Sequence, residues 1–223
     1  MLKPKGTQVS LRELATQMIS VSDNSATDIL LKELGREKIE AMLPVVGVAD
    51  PGRNRPFLST LEAFKLKGIQ ANALADRYLA QDEAGRRNML AGEVARTPML
   101  MISPTLFRDG QPVQIEKIEW FFSPADLVRL MDWLRRNTEG PQGGDARAIL
   151  SKNPGITPAT AAKWQWVGFK GGSEPGVINM TLLLQAKTGY WHVLAGSWND
   201  PAQPVSEARF AALIGRYADL AAP

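Results

Sequence analysis

This sequence contains no cysteine and only one histidine in 223 residues. The absence of cysteine excludes disulfides, thiolate catalysis and cysteine-ligated metal centres. A single histidine, His192, does not indicate a metal site or a catalytic triad. No apolar run reaches the ~18 residues that a membrane-spanning helix needs. Phosphate-binding loops and metal-ligand spacings are missing as well, so we expect no cofactor, no metal and no membrane span.

A strong charge of either sign is also lacking. The 26 basic and 23 acidic side chains give a net charge of +3, which is too small to indicate a nucleic acid or a membrane surface as partner. Hydrophobic residues make up 44% and charged residues 22%, as in ordinary globular proteins. The length is sufficient for one domain with a substantial core, so residues 1–223 are expected to form a single domain.

The hydrophobic pattern is helical over the first 150 residues and strand-like afterwards. Helices are predicted at 26–34 and 36–43, others begin at Ser10 and at Ser123, and a shorter one lies near 145–150. A helical stretch at 59–95 is expected to be broken at Gly68 and Gly85. Strands are predicted at 164–170, 177–186 and 190–197. A closing helix over 206–220 is expected to turn these apolar side chains inward: Phe210, Leu213, Ile214, Tyr217 and Leu220. Helices followed by an antiparallel hairpin and a final helix predict an α+β fold.

Two short segments could carry chemistry. Ser22-Asp23-Asn24 lies in the break between the first two predicted helices. By itself this tripeptide is typical of a helix cap. A capped helix before it and an apolar helix directly after it strengthen a functional interpretation, because they would hold a hydroxyl and an amide on a rigid loop.

The second segment is Lys170-Gly171-Gly172-Ser173, one strand ahead of the hairpin. Small residues at this place would let a ligand lie against the strand edge and pair with its backbone. A Gly-Gly bulge on an edge strand is the structural alternative. Lys187-Thr188-Gly189 has a similar composition, but it lies between two strands where a hairpin needs a turn, so we interpret it as the turn.

Together the two segments resemble two of the three signature elements of serine β-lactamases and penicillin-binding proteins, which are S-x-x-K, S-D-N and K-T-G. The resemblance implies a β-lactamase-like helical region with an antiparallel sheet, and a small β-lactam-like substrate. It implies that Ser22 relays a proton, that Lys170 attracts the substrate carboxylate and that Asn24 bonds the acyl amide. Gly172 and Ser173 would contact substrate, whereas Asp23 and Gly171 would shape the site. Gly171 departs from the pattern, since threonine or serine stands there in the family.

The S-x-x-K element is absent, because no serine is followed by lysine three positions later. We therefore expect the chain to be an incomplete domain whose nucleophile lies upstream of residue 1. Such a gap would expose Leu14, Met18 and Leu30 together with a strand edge, and would favour self-association or binding of an upstream fragment. Residues 56–119 do not match the family closely and are interpreted as a divergent inserted helical segment.

The glutamate that activates water for deacylation in class A enzymes has no clean counterpart here. Glu62 is the nearest candidate, but Ser59 and Glu62 also have the spacing of a capping box, which favours a structural role. The resemblance implies a periplasmic or secreted protein, with the signal region outside this sequence. Two other functions stay open: a D-alanyl-D-alanine peptidase or esterase on the same scaffold, and a catalytically silent ligand-binding domain.

Overall fold

The computed structural model describes residues 6–222, which form a helical region followed by a three-stranded sheet and a last helix. The helices are α1 (Leu11–Ser20), α2 (Asn24–Leu34), α3 (Arg36–Val45), α4 (Thr60–Gly68), α5 (Leu74–Leu79), α6 (Glu83–Met89), α7 (Pro124–Asn137), α8 (Gly144–Leu150), α9 (Pro158–Ala161) and α10 (Glu207–Ala221). The strands are β1 (Trp166–Glu174), β2 (Val177–Gln185) and β3 (Trp191–Asn199). Short 3-10 turns cover Pro51–Asn54, Ala71–Ala73, Met99–Met101 and Pro141–Gly143, and a π-helical turn covers Leu90–Val94. The α+β prediction is confirmed.

Local capping determines where several helices begin and end. The Ser10 hydroxyl accepts a hydrogen bond from the Glu13 amide at 3.1 Å and opens α1. Ser123 and Asp126 form a reciprocal capping box at the start of α7. Gly35 ends α2 with a φ of +87°, a conformation that only glycine adopts without steric cost. These local signals explain why the predicted helix starts agree with the structure.

The sheet is antiparallel and has the order β1-β2-β3. Lys170 pairs with Thr181, and Glu174 pairs with Val177 next to the tight turn at Pro175-Gly176. Lys187 lies in the turn between β2 and β3, as predicted. Within residues 6–222, β1 and β3 each have one unpaired edge.

Two predictions about helices are wrong. Gly85 does not break the chain but lies inside α6, because Asp82 supplies an N-cap that accepts a bond from the Gly85 amide. On α10, Phe210 and Ile214 pack against the sheet as expected, yet three of the apolar side chains predicted to be buried are exposed. These are Leu213, Tyr217 and Leu220, at 49%, 52% and 74% exposure. The reason is that α10 buries only a narrow stripe spaced four residues apart, completed by Ala218.

The expected exposure of the first helices is also wrong. Leu14 and Leu30 are buried, and they pack with Ala26 in a small core between α1 and α2. Met18 is half-buried against the same core. Each helix therefore covers the apolar face of the other. Among the described residues, no helix has both the length and the apolarity that crossing a membrane would require.

Candidate functional site

The site forms where the α1–α2 loop meets the middle of β1. Side chains alternate across a strand, so Lys170, Gly172 and Glu174 share one face of β1. The opposite face of the sheet packs on α10, since Gly196 contacts Phe210 and Ile214. Lys170 therefore points toward the helical region rather than toward the last helix.

Lys170 and Ser22 meet although they are 148 positions apart in the chain. The Lys170 ammonium donates a hydrogen bond to the Ser22 hydroxyl at 2.7 Å, and it also donates to the Gly171 carbonyl. Within residues 6–222, Lys170 forms no ion pair with a carboxylate. Burial without a counter-charge lowers the pKa of Lys170. The structure thus brings together the two residues to which the sequence assigned the central roles.

The loop that carries Ser22 has a strained backbone and is restrained by hydrogen bonds. Ser22 has a φ of +54°, in the left-handed region that strains any residue with a Cβ. The Asp23 carboxylate accepts a hydrogen bond from the Ala26 amide at 2.8 Å and caps α2. Asn153 donates to the Ser20 carbonyl at 3.0 Å from the loop after α8. Backbone strain at a polar loop is typical of sites whose geometry serves a function.

Asn24 and Ser173 are exposed, and among the described residues neither side chain has a hydrogen-bond partner. Asn24 is the first residue of α2 and follows the cap directly. Ser173 lies next to Gly172 on the unpaired edge strand. Both side chains are therefore available to a ligand at the edge of β1, with Ser173 on the face of the strand opposite to Lys170.

Gly171 and Gly172 of β1 differ in what surrounds them. A Cβ at Gly171 would lie 2.8 Å from the Asn179 carbonyl oxygen and 2.8 Å from the Phe169 ring, so packing requires glycine there. A Cβ at Gly172 would meet nothing within 4 Å. The departure from threonine or serine at position 171 thus has a steric cause, while position 172 leaves open space in front of the strand.

Glu62 uses its carboxylate in the local structure. One oxygen accepts from the Ser59 amide at 2.7 Å, and the Ser59 hydroxyl accepts from the Glu62 amide at 3.1 Å. The other oxygen accepts from Arg36 at 2.7 Å. Because both oxygens are engaged, we assign Glu62 the capping role and not the activation of water.

Sequence reasoning missed a buried charged cluster at the end of β1. The Lys67 ammonium on α4 donates to both Glu119 and Glu174, and the Lys67 side chain is 1% exposed. Burial, and then a hydrogen bond with Glu119, raises the pKa of Glu174 to about 8. At neutral pH the Glu174 carboxyl therefore retains its proton in large part. The cluster attaches α4 and the 111–121 segment to the strand that carries Lys170.

Two signals in the sequence could have revealed this cluster. Side chains alternate along a strand, so an even spacing from Lys170 places Glu174 on the same face of β1. Lys67 lies in the segment Phe64-Lys65-Leu66-Lys67, where α4 is buried on nearly all sides. Lysines on a buried helix must find partners. The partners themselves are distant in sequence, so only the tertiary structure identifies them.

Comparison with known proteins places this geometry in a family. The family model described as "Beta-lactamase enzyme family" matches residues 1–179, including the segment 56–119. No curated protein matches the chain. Among solved structures, a beta-lactamase from Sphaerobacter thermophilus DSM 20745 is similar at 18% identity with a TM-score of 0.56. This comparison covers 99% of this chain and 65% of the other.

A second similar structure is that of L2 complexed with relebactam, at 17% identity and a TM-score of 0.52. It aligns with 96% of this chain, which spans 64% of its length. At these identities the structures establish the fold alone, and the family match over most of the sequence establishes the relationship. The chain therefore belongs to the beta-lactamase enzyme family.

Proposed function

We propose that this chain carries the substrate-binding and proton-relay half of a serine hydrolase that acts on a β-lactam or a related amide or ester. The observation that carries the proposal is the contact between the Lys170 ammonium and the Ser22 hydroxyl at 2.7 Å. This contact joins Ser22-Asp23-Asn24 to Lys170-Gly171-Gly172-Ser173 at the unpaired edge of β1, and both segments resemble motifs of the family. Membership of the beta-lactamase family supports the same reaction class.

In this proposal a substrate lies along the unpaired edge of β1, with its carboxylate near Lys170, and Ser173 reaches the same edge from the opposite face of the strand. The Asn24 amide hydrogen-bonds the acyl side chain, and the empty space at Gly172 admits the substrate backbone. Because no carboxylate of the described residues neutralises Lys170, its positive charge is available to an anionic substrate. Its lowered pKa also favours proton exchange with Ser22.

The chemical step is an acyl transfer. A serine oxygen attacks the carbonyl carbon as its proton passes to a base, the carbon–nitrogen bond breaks, and the leaving nitrogen takes the proton of the Ser22 hydroxyl. Ser22 regains a proton from Lys170, which in turn recovers one from the base. Water then attacks the acyl ester and releases the acid and the free serine. Residues 1–223 contain no Ser-x-x-Lys, so we propose that the attacking serine and its base belong to polypeptide outside these residues.

Binding and chemistry can be tested separately. Purified 1–223 should bind a β-lactam reversibly but give no covalent adduct by mass spectrometry and no turnover of nitrocefin. Lys170→Ala should weaken binding ten- to hundredfold, as expected for losing a charge-assisted hydrogen bond of about 1.5–3 kcal/mol. Lys187→Ala, at the exposed turn between β2 and β3, is the matched control and should bind like the wild type. Equal losses in both variants would refute the site.

A peptidase or esterase on the same scaffold is the second candidate, and the state of Glu62 favours it. With both Glu62 oxygens engaged, this chain shows no carboxylate free to activate water at that position. An extended protein that contains Ser-x-x-Lys would then acylate and release slowly. Labelling with a fluorescent penicillin, followed over time, distinguishes the candidates. A long-lived covalent label indicates a penicillin-binding peptidase, and rapid loss of the label indicates a β-lactamase.

We also propose where the outside polypeptide binds. The outer edge of β3 is unpaired among residues 6–222, and α10 exposes Leu213, Tyr217 and Leu220. Open strand edges and apolar helix faces favour association with another segment. Sedimentation of pure 1–223 should therefore show self-association at tens of micromolar, and a monomer would contradict this.

A further inference from the structure

A second cluster of charged residues lies apart from Ser22 and Lys170. It lines a pocket between the 51–58 segment, α5, α6 and the 117–121 segment. The pocket and the solvent-filled space at its mouth together measure about 310 Å³. Four of the lining side chains are cationic: Arg53, Arg55, Arg86 and Lys117.

The positive charges of this pocket are not compensated. Glu119 is the carboxylate in the lining, and it accepts a hydrogen bond from Lys67 in the neighbouring cluster. Among the described residues, the guanidinium of Arg55 and the ammonium of Lys117 have no hydrogen bond or ion pair. The Nε atoms of Arg55 and Arg86 are both buried and unpartnered. A buried N–H without an acceptor is costly, and two such groups on neighbouring arginines need an explanation.

The walls of the pocket are well fixed. Asn54 and Phe121 exchange two hydrogen bonds, at 2.8 Å and 2.7 Å, across 67 positions. Trp120 donates to the Leu58 carbonyl at 3.0 Å. The Arg53 guanidinium stacks over the Phe121 ring at 4.0 Å from its centre. The pocket wall and the Arg53 guanidinium are therefore held in place before a ligand arrives, which lowers the entropic cost of binding.

Arg86 and Tyr78 form the inner side of the pocket. Arg86 lies over the Tyr78 ring at 5.3 Å and donates from one terminal nitrogen to the Leu79 carbonyl at 3.1 Å. Burial raises the pKa of Tyr78 to about 12, so its hydroxyl stays neutral and can donate. The Nε–H of Arg86 has no acceptor among residues 6–222.

We propose that this pocket binds a phosphate-like tetrahedral oxyanion. Arginine presents its N–H groups in a fork that matches oxyanion geometry, with two parallel hydrogen bonds. A dianion offsets more of the four positive charges than a singly charged carboxylate does. The oxyanion would accept from the terminal nitrogens of Arg55, which have no partner among the described residues, and Lys117 at the exposed rim would add its charge.

Inorganic phosphate titrated into the full chain by calorimetry tests the proposal. At pH 8 and constant ionic strength, one phosphate should bind per chain, sulfate should compete with it, and chloride should not. Arg55→Gln should weaken phosphate at least about tenfold, since it removes a charge-assisted contact. Lys117→Gln, a change at an exposed position, should weaken it less. Arg209→Gln on α10, which removes the same charge outside the pocket, should leave the affinity unchanged.

The stability of the free protein provides a second readout. Without phosphate, Arg55→Gln should leave the unfolding temperature unchanged or higher, because it removes an unpaired, half-buried charge. With phosphate, only proteins with an intact pocket should gain stability by mass action. Equal binding of phosphate and chloride, tighter binding of acetate than of phosphate, or equal losses in Arg55→Gln and Arg209→Gln would each overturn the assignment.

Discussion

Lys67 and Lys170 are two lysines on the same side of the sheet with opposite surroundings. Lys67 is buried between Glu119 and Glu174, and its charge is matched. Lys170 is half-buried, and its partners are a hydroxyl and a carbonyl, neither of which carries charge. The first arrangement stabilises a junction between elements, whereas the second leaves a positive charge available to a ligand.

The comparison teaches that buried charge alone does not identify a functional site. Disrupting a neutralised buried cluster costs folding stability, but such a cluster has no unpaired charge that could bind a substrate. A partly buried cation without a counter-charge is stabilised when an anion binds. The Arg55 pocket resembles Lys170 in this respect, because among the described residues Arg55 and Lys117 have no carboxylate partner.

Removing the ammonium from the matched cluster should have the largest effect. Lys67→Met leaves Glu119 and Glu174 facing each other without a cation, and we expect a loss of about 3–5 kcal/mol in the free energy of unfolding. Urea denaturation at pH 7 measures it. Lys187→Met, at an exposed turn, is the control and should change stability little. A loss of less than about 1 kcal/mol for Lys67→Met would mean that the cluster is not structural.

The pH dependence of stability should reveal the titration of Glu174. Its pKa of about 8 lies above its unfolded value of 4.5, so between these values the folded state holds more protons than the unfolded state. Stability should therefore fall as pH rises from about 5 to 8, by at most ~1.4 kcal/mol per pH unit. Glu174→Gln should flatten this slope in unfolding measurements made across the range. An unchanged slope would assign the titration to another group.

The strain at Ser22 should be measurable. Ser22→Gly relieves the left-handed conformation at φ +54° and should raise stability by about 1 kcal/mol. It also removes the acceptor of the Lys170 hydrogen bond, so ligand binding should weaken. Ser22→Ala keeps the strain and loses the hydroxyl, and thermal unfolding of both variants separates the two effects. Equal unfolding temperatures for both would show that the loop is not strained.

The smallest change in stability is expected at Lys170. Lys170→Met removes a partly desolvated charge that no carboxylate balances, so stability should stay within about 1 kcal/mol of the wild type or rise. The same variant should lose affinity for β-lactams, in contrast to Lys67→Met, whose main effect is on folding. A large destabilisation would place Lys170 in the same structural class as Lys67.

Much of the fold could be predicted because its signals are local. Ser10, Asp23 and Ser123 cap helices within three residues of themselves, and the turn at 187–189 follows from its composition. Burial on α10 could not be predicted, since a helix with apolar residues on several faces does not reveal how many faces will be covered. The helix break predicted at Gly85 is wrong because the N-cap at Asp82 outweighs the low helix propensity of glycine.

The sequence by itself determined the α+β order, the family character of residues 22–24 and 170–173, and the absence of cysteine and Ser-x-x-Lys chemistry within residues 1–223. Only the tertiary structure decided that Ser22 meets Lys170, that Glu62 is engaged by Arg36, and that Lys67 neutralises a carboxyl pair. The physical reason is the separation along the chain between the residues that interact. Caps and turns depend on neighbours in the chain, but charge compensation depends on which distant side chains the packing brings within hydrogen-bond distance.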